Sequence, residues 1–398
     1  MKVLYSNNIV LKDEVIKGYL IVEKNVIKEI KQEYDGEFED FSDCIILPGF
    51  IDQHVHGWGR GSLLYENDAN AIRKMIEDQA KEGVTGFLVT TFTDSLKNIK
   101  QSIDAANEVY SNQNKGSKLL GMHIEGPFIN PEYNGAQLRE YCLEPSVDVM
   151  KELVEQCDNP NLIKLVTIAP ELNNAKSLIE YCRDNNIQVS AGHTGATFEE
   201  LLESKKWGVG GVTHMFSAMT GLHHRKPGVA GGALYDNDLM CEFAKQTGIT
   251  VRHEVFDITY RLKGSDRIIM TTDCLGHAMQ KEPYYHARRD VWFIPEEGYL
   301  IEKHGNGKEI KYDLTKYEEV RKIELSFIDS IKKMRETTKM ELIDLAKITS
   351  TNSAKYIHIF DRKGSIESGK DADLTIVTPE LNIVATMVEG DFVYDNRK

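Results

Sequence analysis

IILPGFIDQHVH, residues 45–56, is an apolar run that ends in two histidines spaced by one residue. In an extended chain residues i and i+2 share a face, so His54 and His56 point the same way from the end of a buried strand. Seven further runs have a similar design: TGFLVTTFT (85–93), KLLGMHIEG (118–126), LIKLVTIAPE (162–171), IQVSAGHTG (187–195), VGGVTHMFSA (209–218), LMCEFAKQTG (239–248) and RIIMTTDCLG (267–276). Helix-like stretches such as ANAIRKMIEDQAKEG (69–83) and AKSLIEYCRDN (175–185) lie between them. Strands alternating with helices make parallel βαβ units. Eight units in one chain predict an α/β fold, a closed (β/α)8 TIM-like barrel. The rival, an open doubly wound sheet, often carries a G-x-G-x-x-G turn after its first strand, and none follows here.

Outward from this middle, both ends of the chain change character. VLYSNNIVL (3–11) and GYLIVEKNVIKEI (18–30) alternate like short strands, as do GSIESGKDADLTIVTP (364–379) and NIVATMVEGDFVY (382–394). The ends are therefore expected to form one small β-sandwich domain, residues 1–49 plus 356–398, around a barrel of residues 50–355.

The formal net charge of −14 argues against a nucleic-acid partner or an anionic membrane surface. It leaves room for an anionic small molecule, which a few local cations can bind. The six cysteines form no C-x-x-C pair, and no run is apolar enough for a membrane span or signal peptide. The expected location is the cytoplasm.

Most of the strand-like runs end in a residue able to do chemistry: His54 and His56, Glu125, Glu171, His193, His214, Asp273. In a (β/α)8 barrel such ends converge on one site. Any one of these histidines alone reads as a satisfied core residue. Glu125, in HIEGPF, is a carboxylate at a core edge that needs a salt bridge or a metal. Together His54, His56, Glu125, His193 and His214 read as metal ligands. Imidazole with carboxylate suits Zn²⁺ or Fe²⁺ better than Mg²⁺ or Ca²⁺. His123 shares Glu125's strand but is less well placed for the mouth. Asp273 reads either as a turn residue or as a general base beside an activated water. GLHHRKPG, with His223, His224 and Arg225, reads either as a solvated basic turn or as a phosphate-binding loop.

PGFIDQHVHGWG, HIEGPF, GHTGAT, THMFSAMTGLHHRKPG and TTD, taken in order from Pro48 to Asp273, resemble the N-acetylglucosamine-6-phosphate deacetylases of the amidohydrolase superfamily. The resemblance implies that Glu125, His193 and His214 bind the principal metal and that His54 and His56 support a second, giving one or two ions of Zn or Fe per subunit. It implies Asp273 as catalytic acid/base. Ala136, Gln137, Ser217 and Ala218 would contact the substrate, and Arg225 its phosphate. Members work as homodimers whose subunits help complete the phosphate site. The reaction implied is deacetylation of N-acetylglucosamine 6-phosphate to glucosamine 6-phosphate and acetate.

The chain departs from that pattern in its substrate loops. Ser217 stands where the family usually has Asn, and Thr250 where it has a substrate-contacting His; His253, in TGITVRHEV (247–255), is the expected replacement. Beyond Asp273 the segment from His277 to Ile310 is polar and aromatic without the family's usual motif. Two alternatives follow. One is the same metal centre acting on another N-acyl amino-sugar phosphate or other N-acyl substrate. The other is a silent sugar-phosphate-binding regulator, which the complete ligand set and Asp273 argue against.

Overall fold

Gly49 splits the opening run between two sheets. Ile45–Pro48 joins a sheet made from the chain ends, while Phe50–Trp58 starts a parallel sheet. A side chain at residue 49 would place its Cβ 2.2 Å from Thr85 Oγ1, so the crossing point takes only glycine. The structure is a computed structural model and describes residues 1–113, 115–244, 250–286 and 289–397.

The parallel sheet runs in chain order from Phe50–Trp58 through Val84–Thr90, Lys118–Glu125, Ile163–Ile168, Gln188–Ala191, Val209–Val212 and Met240–Ala244 to Ile268–Thr271. The chain then breaks at Thr272 and Asp273, and Cys274–Leu275 pairs in parallel with Phe50–Trp58. The segment 268–275 therefore reaches both edges of the curled sheet. Every residue of Phe50–Trp58 and Val84–Thr90 is buried, as expected of parallel strands covered on both faces. The candidate LMCEFAKQTG is a strand only to Ala244; its Lys245–Gly248, and Thr247–Ile249 of the TGITVRHEV run, lie outside the described residues.

Several of the covering helices start at side-chain caps. Asp68 accepts from Ala71 N ahead of Ala69–Ala80, and Thr197 with Glu200 makes a capping box for Phe198–Trp207. The first of these buries Ile72, Met75, Ile76 and Gln79 on one stripe against the sheet, and each buried aliphatic side chain contributes roughly 2 kcal/mol. Among the described residues no helix is long and apolar enough to cross a membrane.

The chain ends form one eight-stranded sheet, in which Leu374–Val377 bridges Ile45–Pro48 and Ile383–Val388. It packs its own core of Leu4, Ile9, Leu20, Ile46 and Met387. A third sheet was not separated in the sequence. Tyr284–His286, Val291–Glu296, Tyr299–His304 and Glu309–Asp313 form an antiparallel lobe. Val291, Phe293, Leu300 and Tyr312 are its core, and alternate residues such as Trp292 face solvent. That is the period of two an antiparallel strand requires.

Candidate metal centre and active site

Five side chains converge where the parallel strands end. His54 and His56 project from Phe50–Trp58 and Glu125 ends Lys118–Glu125. His193 and His214 each lie two residues beyond a strand. Glu125 is the shared member. Its Oε1 lies 3.0 Å from His214 Nε2, 3.3 Å from His193 Nε2 and 3.4 Å from His54 Nε2, and its Oε2 is 3.2 Å from His56 Nε2. Two overlapping clusters can each hold a metal ion: His54, His56 and Glu125, and Glu125, His193 and His214.

The hydrogen-bonding of the rings fits a cation. His193 Nδ1 donates to Tyr133 O at 3.0 Å and His56 Nδ1 to Thr90 O at 3.2 Å, while His54 Nδ1 bonds Glu242 Oε1 at 2.9 Å. With Nδ1 committed, each Nε2 is the nitrogen that faces the centre and would give up its proton to a bound cation. The Nε2 atoms of His54 and His56 are buried without a hydrogen-bond partner, and those of His193 and His214 face each other at 3.0 Å. Donor atoms about 3.3 Å apart are the spacing of tetrahedral ligands around an ion at roughly 2.0 Å.

Asp273 closes the constellation. Its Oδ1 is 3.3 Å from His56 Nε2 and 3.5 Å from His54 Nε2. Burial pushes its pKa up, but His54 and His56 outweigh this and hold it down to about 2. Glu125 is likewise raised by burial and brought well below the carboxylate range by His54, His193 and His214. Burial lowers the His54 pKa, yet Glu125, Asp273 and Glu242 leave it well above the usual imidazole value. His193, His214 and Asp273 have φ of +47°, +31° and +50°, a region that side-chain-bearing residues adopt when neighbours hold them there.

The sequence reading missed the supports below this ring. Glu242 is buried; besides His54 it accepts from Gln53 Nε2 at 2.7 Å and from His214 N at 3.2 Å. It thus holds one residue of each cluster. Asp52 accepts from Thr271 Oγ1, Thr272 Oγ1 and Thr272 N, fixing the approach to Asp273. The available signal was a lone acid inside or closing an apolar run, LMCEFA for Glu242 and IILPGFID for Asp52. His123 packs edge-on against His54, ring centroids 4.5 Å apart, and its Nε2 bonds Thr167 Oγ1 at 2.8 Å. Glu171 binds Asn130, Thr194 and Gly195 N, so it ties loops together.

A cavity of about 300 Å³ opens beside the ring. His56, Glu125, His193, His214 and Asp273 form one wall, while Ala136, Gln137, Ser217, Ala218 and Thr250 line the rest with Phe92 and Leu275. Gln137 Nε2 donates to Glu125 Oε2 at 2.5 Å, and Thr93 N donates to Gln137 Oε1 at 2.6 Å. Two expected substrate residues are not among those lining the cavity. Arg225 lies on an exposed turn with its Nε 3.0 Å from His224 Nε2. His253 is the first residue of helix His253–Lys263, while Thr250 reaches the cavity itself.

Residues 45–393 match the model of the amidohydrolase family. N-acetylglucosamine-6-phosphate deacetylase from Bacillus subtilis is 33% identical over 400 residues, covering 98% of this chain and 96% of the relative. The enzyme of that name from Lysinibacillus sphaericus is 32% identical over 350 residues, covering 88% and 85%. The crystal structure of N-acetylglucosamine-6-phosphate deacetylase from Thermotoga maritima superposes with a TM-score of 0.80 at 28% identity, covering 99% of this chain and 100% of that one.

Proposed function

The chain belongs to the amidohydrolase family and, within it, to the N-acetylglucosamine-6-phosphate deacetylases, and from that premise we propose that it hydrolyses the acetamido group of N-acetylglucosamine 6-phosphate. The products are glucosamine 6-phosphate and acetate. The single observation that carries this reading is the Glu125-centred ring of imidazole nitrogens beside an ionised Asp273.

In this reading Glu125, His193 and His214 hold the principal divalent ion and His54 and His56 support a second, with Zn or Fe suited to the donor set. A metal there supplies positive charge that polarises an acyl carbonyl and acidifies a water. The Asp273 carboxylate, ionised at neutral pH, accepts a proton from water through its oxygens and returns it to the departing amine nitrogen. Gln137 holds Glu125 on one side and faces the cavity on the other, so with Ala136, Ser217 and Ala218 it orients the sugar. Arg225 lies off its own chain's cavity, which favours a homodimer in which this arginine meets the phosphate in the neighbouring subunit. The His253 helix start leaves Thr250 as the nearer candidate for substrate contact.

The remaining architecture is part of the same proposal. Pairing of 268–275 with both sheet edges supports a closed (β/α)8 barrel over residues 50–355. The separate core of the terminal sheet supports a small β domain from residues 1–49 and 356–398. The cytoplasm is the proposed location, in keeping with scattered cysteines that form no C-x-x-C pair.

Acetate release from a panel of N-acetyl sugar phosphates, with Zn²⁺ or Fe²⁺ supplied, tests the reading. N-acetylglucosamine 6-phosphate is expected to be the best substrate. No release from it at any metal loading removes the assignment. Thr250 and Ser217 in the cavity wall favour one alternative, another N-acyl amino-sugar phosphate, and the same panel would reveal it.

A further inference from the structure

Asp273 sits in a loop tied on both sides. On the near side Asp52 binds Thr271 and Thr272, and Asp273 N donates to His54 O at 2.8 Å. On the far side, besides the pairing of Cys274–Leu275 with Phe50–Trp58, the tie is a carboxylate supplied by a residue 51 positions later in the chain. Glu324 Oε1 accepts from Leu275 N at 3.1 Å, and its Oε2 accepts from Gly276 N at 3.0 Å and His277 N at 3.2 Å. Bonds from backbone amides to an ionised carboxylate are stronger than those between neutral groups. Ser62 Oγ adds a bond to Leu275 O at 2.7 Å, and Cys274 Sγ approaches Leu325 O at 3.3 Å.

The geometry needs such a tie. Asp273 and Gly276 both have left-handed φ, +50° and +71°, and Asp273 keeps that conformation only because its surroundings hold it. Leu275, clamped directly by Glu324, also lines the cavity. The antiparallel lobe is inserted between the two partners of the tie, after His277 and before Glu324. It is pinned back by Arg289 Nη2 to Lys322 O at 2.6 Å and by Tyr284 stacked on His277 at 5.4 Å. We propose that Glu324 is a positioning residue for Asp273, holding the loop from which the acid/base projects by three successive backbone amides. This rests on the reading of Asp273 as the acid/base.

The test uses the full chain loaded with Zn²⁺ and N-acetylglucosamine 6-phosphate as substrate. Glu324→Ala and Glu324→Gln are compared with the parent by kcat per bound metal, KM and hydrogen exchange at residues 274–277. Exchange is expected to speed up at Leu275, Gly276 and His277, and kcat to fall on the order of 10- to 100-fold, with KM and metal content within about twofold. Gln keeps one acceptor oxygen and is expected to lose less than Ala; if Ala prevents folding, the Gln variant decides. A purely structural role lowers the melting temperature and leaves kcat per bound metal intact, which overturns the proposal, as does unchanged exchange. Asp273→Asn runs in the same assay. If it turns over normally, the acid/base reading fails and this inference falls with it. If it is dead while Glu324→Ala keeps full kcat with faster exchange, this inference alone fails.

Discussion

The two walls of the cavity are built differently. On one, His56 and Glu125, with His54 packed behind them, stand on buried strand backbone, and both rings are locked by a second bond. On the other, Gly135–Gln137, Ser217–Ala218, Thr250 and Leu275 come from loops. A strand fixes its side chains through ladder bonds and core packing on both faces. A loop depends on individual ties, such as Gln137 to Glu125 or Thr250 Oγ1 to Ala244 O at 2.5 Å. The first design keeps the charge geometry constant, and the second lets the bound molecule change without disturbing the centre.

The largest effect should come from Asp273, the loop residue that faces the strand wall's histidines. Asp273→Asn is expected to lower kcat by about 10²- to 10⁴-fold, the range for losing an acid/base group, while elemental analysis finds metal content near the parent's. Retained turnover would remove Asp273 from that role. Next, Glu242→Gln loses the charge shared by His54 Nδ1 and His214 N. It should weaken metal binding by about 10- to 100-fold in competition with a chelator, with N-acetylglucosamine 6-phosphate KM little changed once the site is saturated. Unaltered metal affinity would mean that the rings are held by packing alone.

Changes in the loop wall should be smaller and of another kind. Thr250→His is expected to shift KM by about tenfold or less, as one hydrogen bond of 0.5–1.5 kcal/mol allows, with no change in metal affinity. A loss of metal instead would mean that the two walls are not independent. Smallest is the anchor beneath the lobe, where Arg321 joins Glu82 and Asp329 at 3.0 Å each. Burial raises the Asp329 pKa, but bonds from Ser326 and Arg321 leave it below the usual value. Its contribution is therefore present above the unfolded carboxyl pKa of about 3.9 and is lost as pH falls through the lower folded value. Asp329→Asn should cost about 1 kcal/mol in urea unfolding at pH 7, with the difference shrinking toward pH 3 and kcat unaffected. A constant difference across that range would exclude the ion pair as its source.

The sequence carried the strand wall well because burial and function leave the same mark there. A polar residue closing an apolar run is costly unless it has a partner, so His54, Glu125 and His214 were visible as an ordered set. Glu242 left the same mark and was passed over, because it lies inside its run rather than at the end. The lobe was opaque for another reason. Its strands are short, their exposed face is Trp292, Tyr285 and charged residues, and the alternation of Val291 with Phe293 is diluted by turns. Glu324 gave no local signal at all, since its partners are backbone amides of a loop far away in sequence. The left-handed backbone at His193, His214 and Asp273 is likewise a product of tertiary contacts that no spacing rule reports.

The central claim is that a divalent metal at the Glu125 ring drives amide hydrolysis. It is tested most directly by removing metal with a chelator, then titrating Zn²⁺ or Fe²⁺ back while following acetate release from N-acetylglucosamine 6-phosphate and bound metal together. The account predicts an inactive metal-free protein, recovery that saturates at one or two ions per chain, and no recovery in Glu125→Gln. Full activity in the metal-free protein, or full recovery in Glu125→Gln, would contradict it.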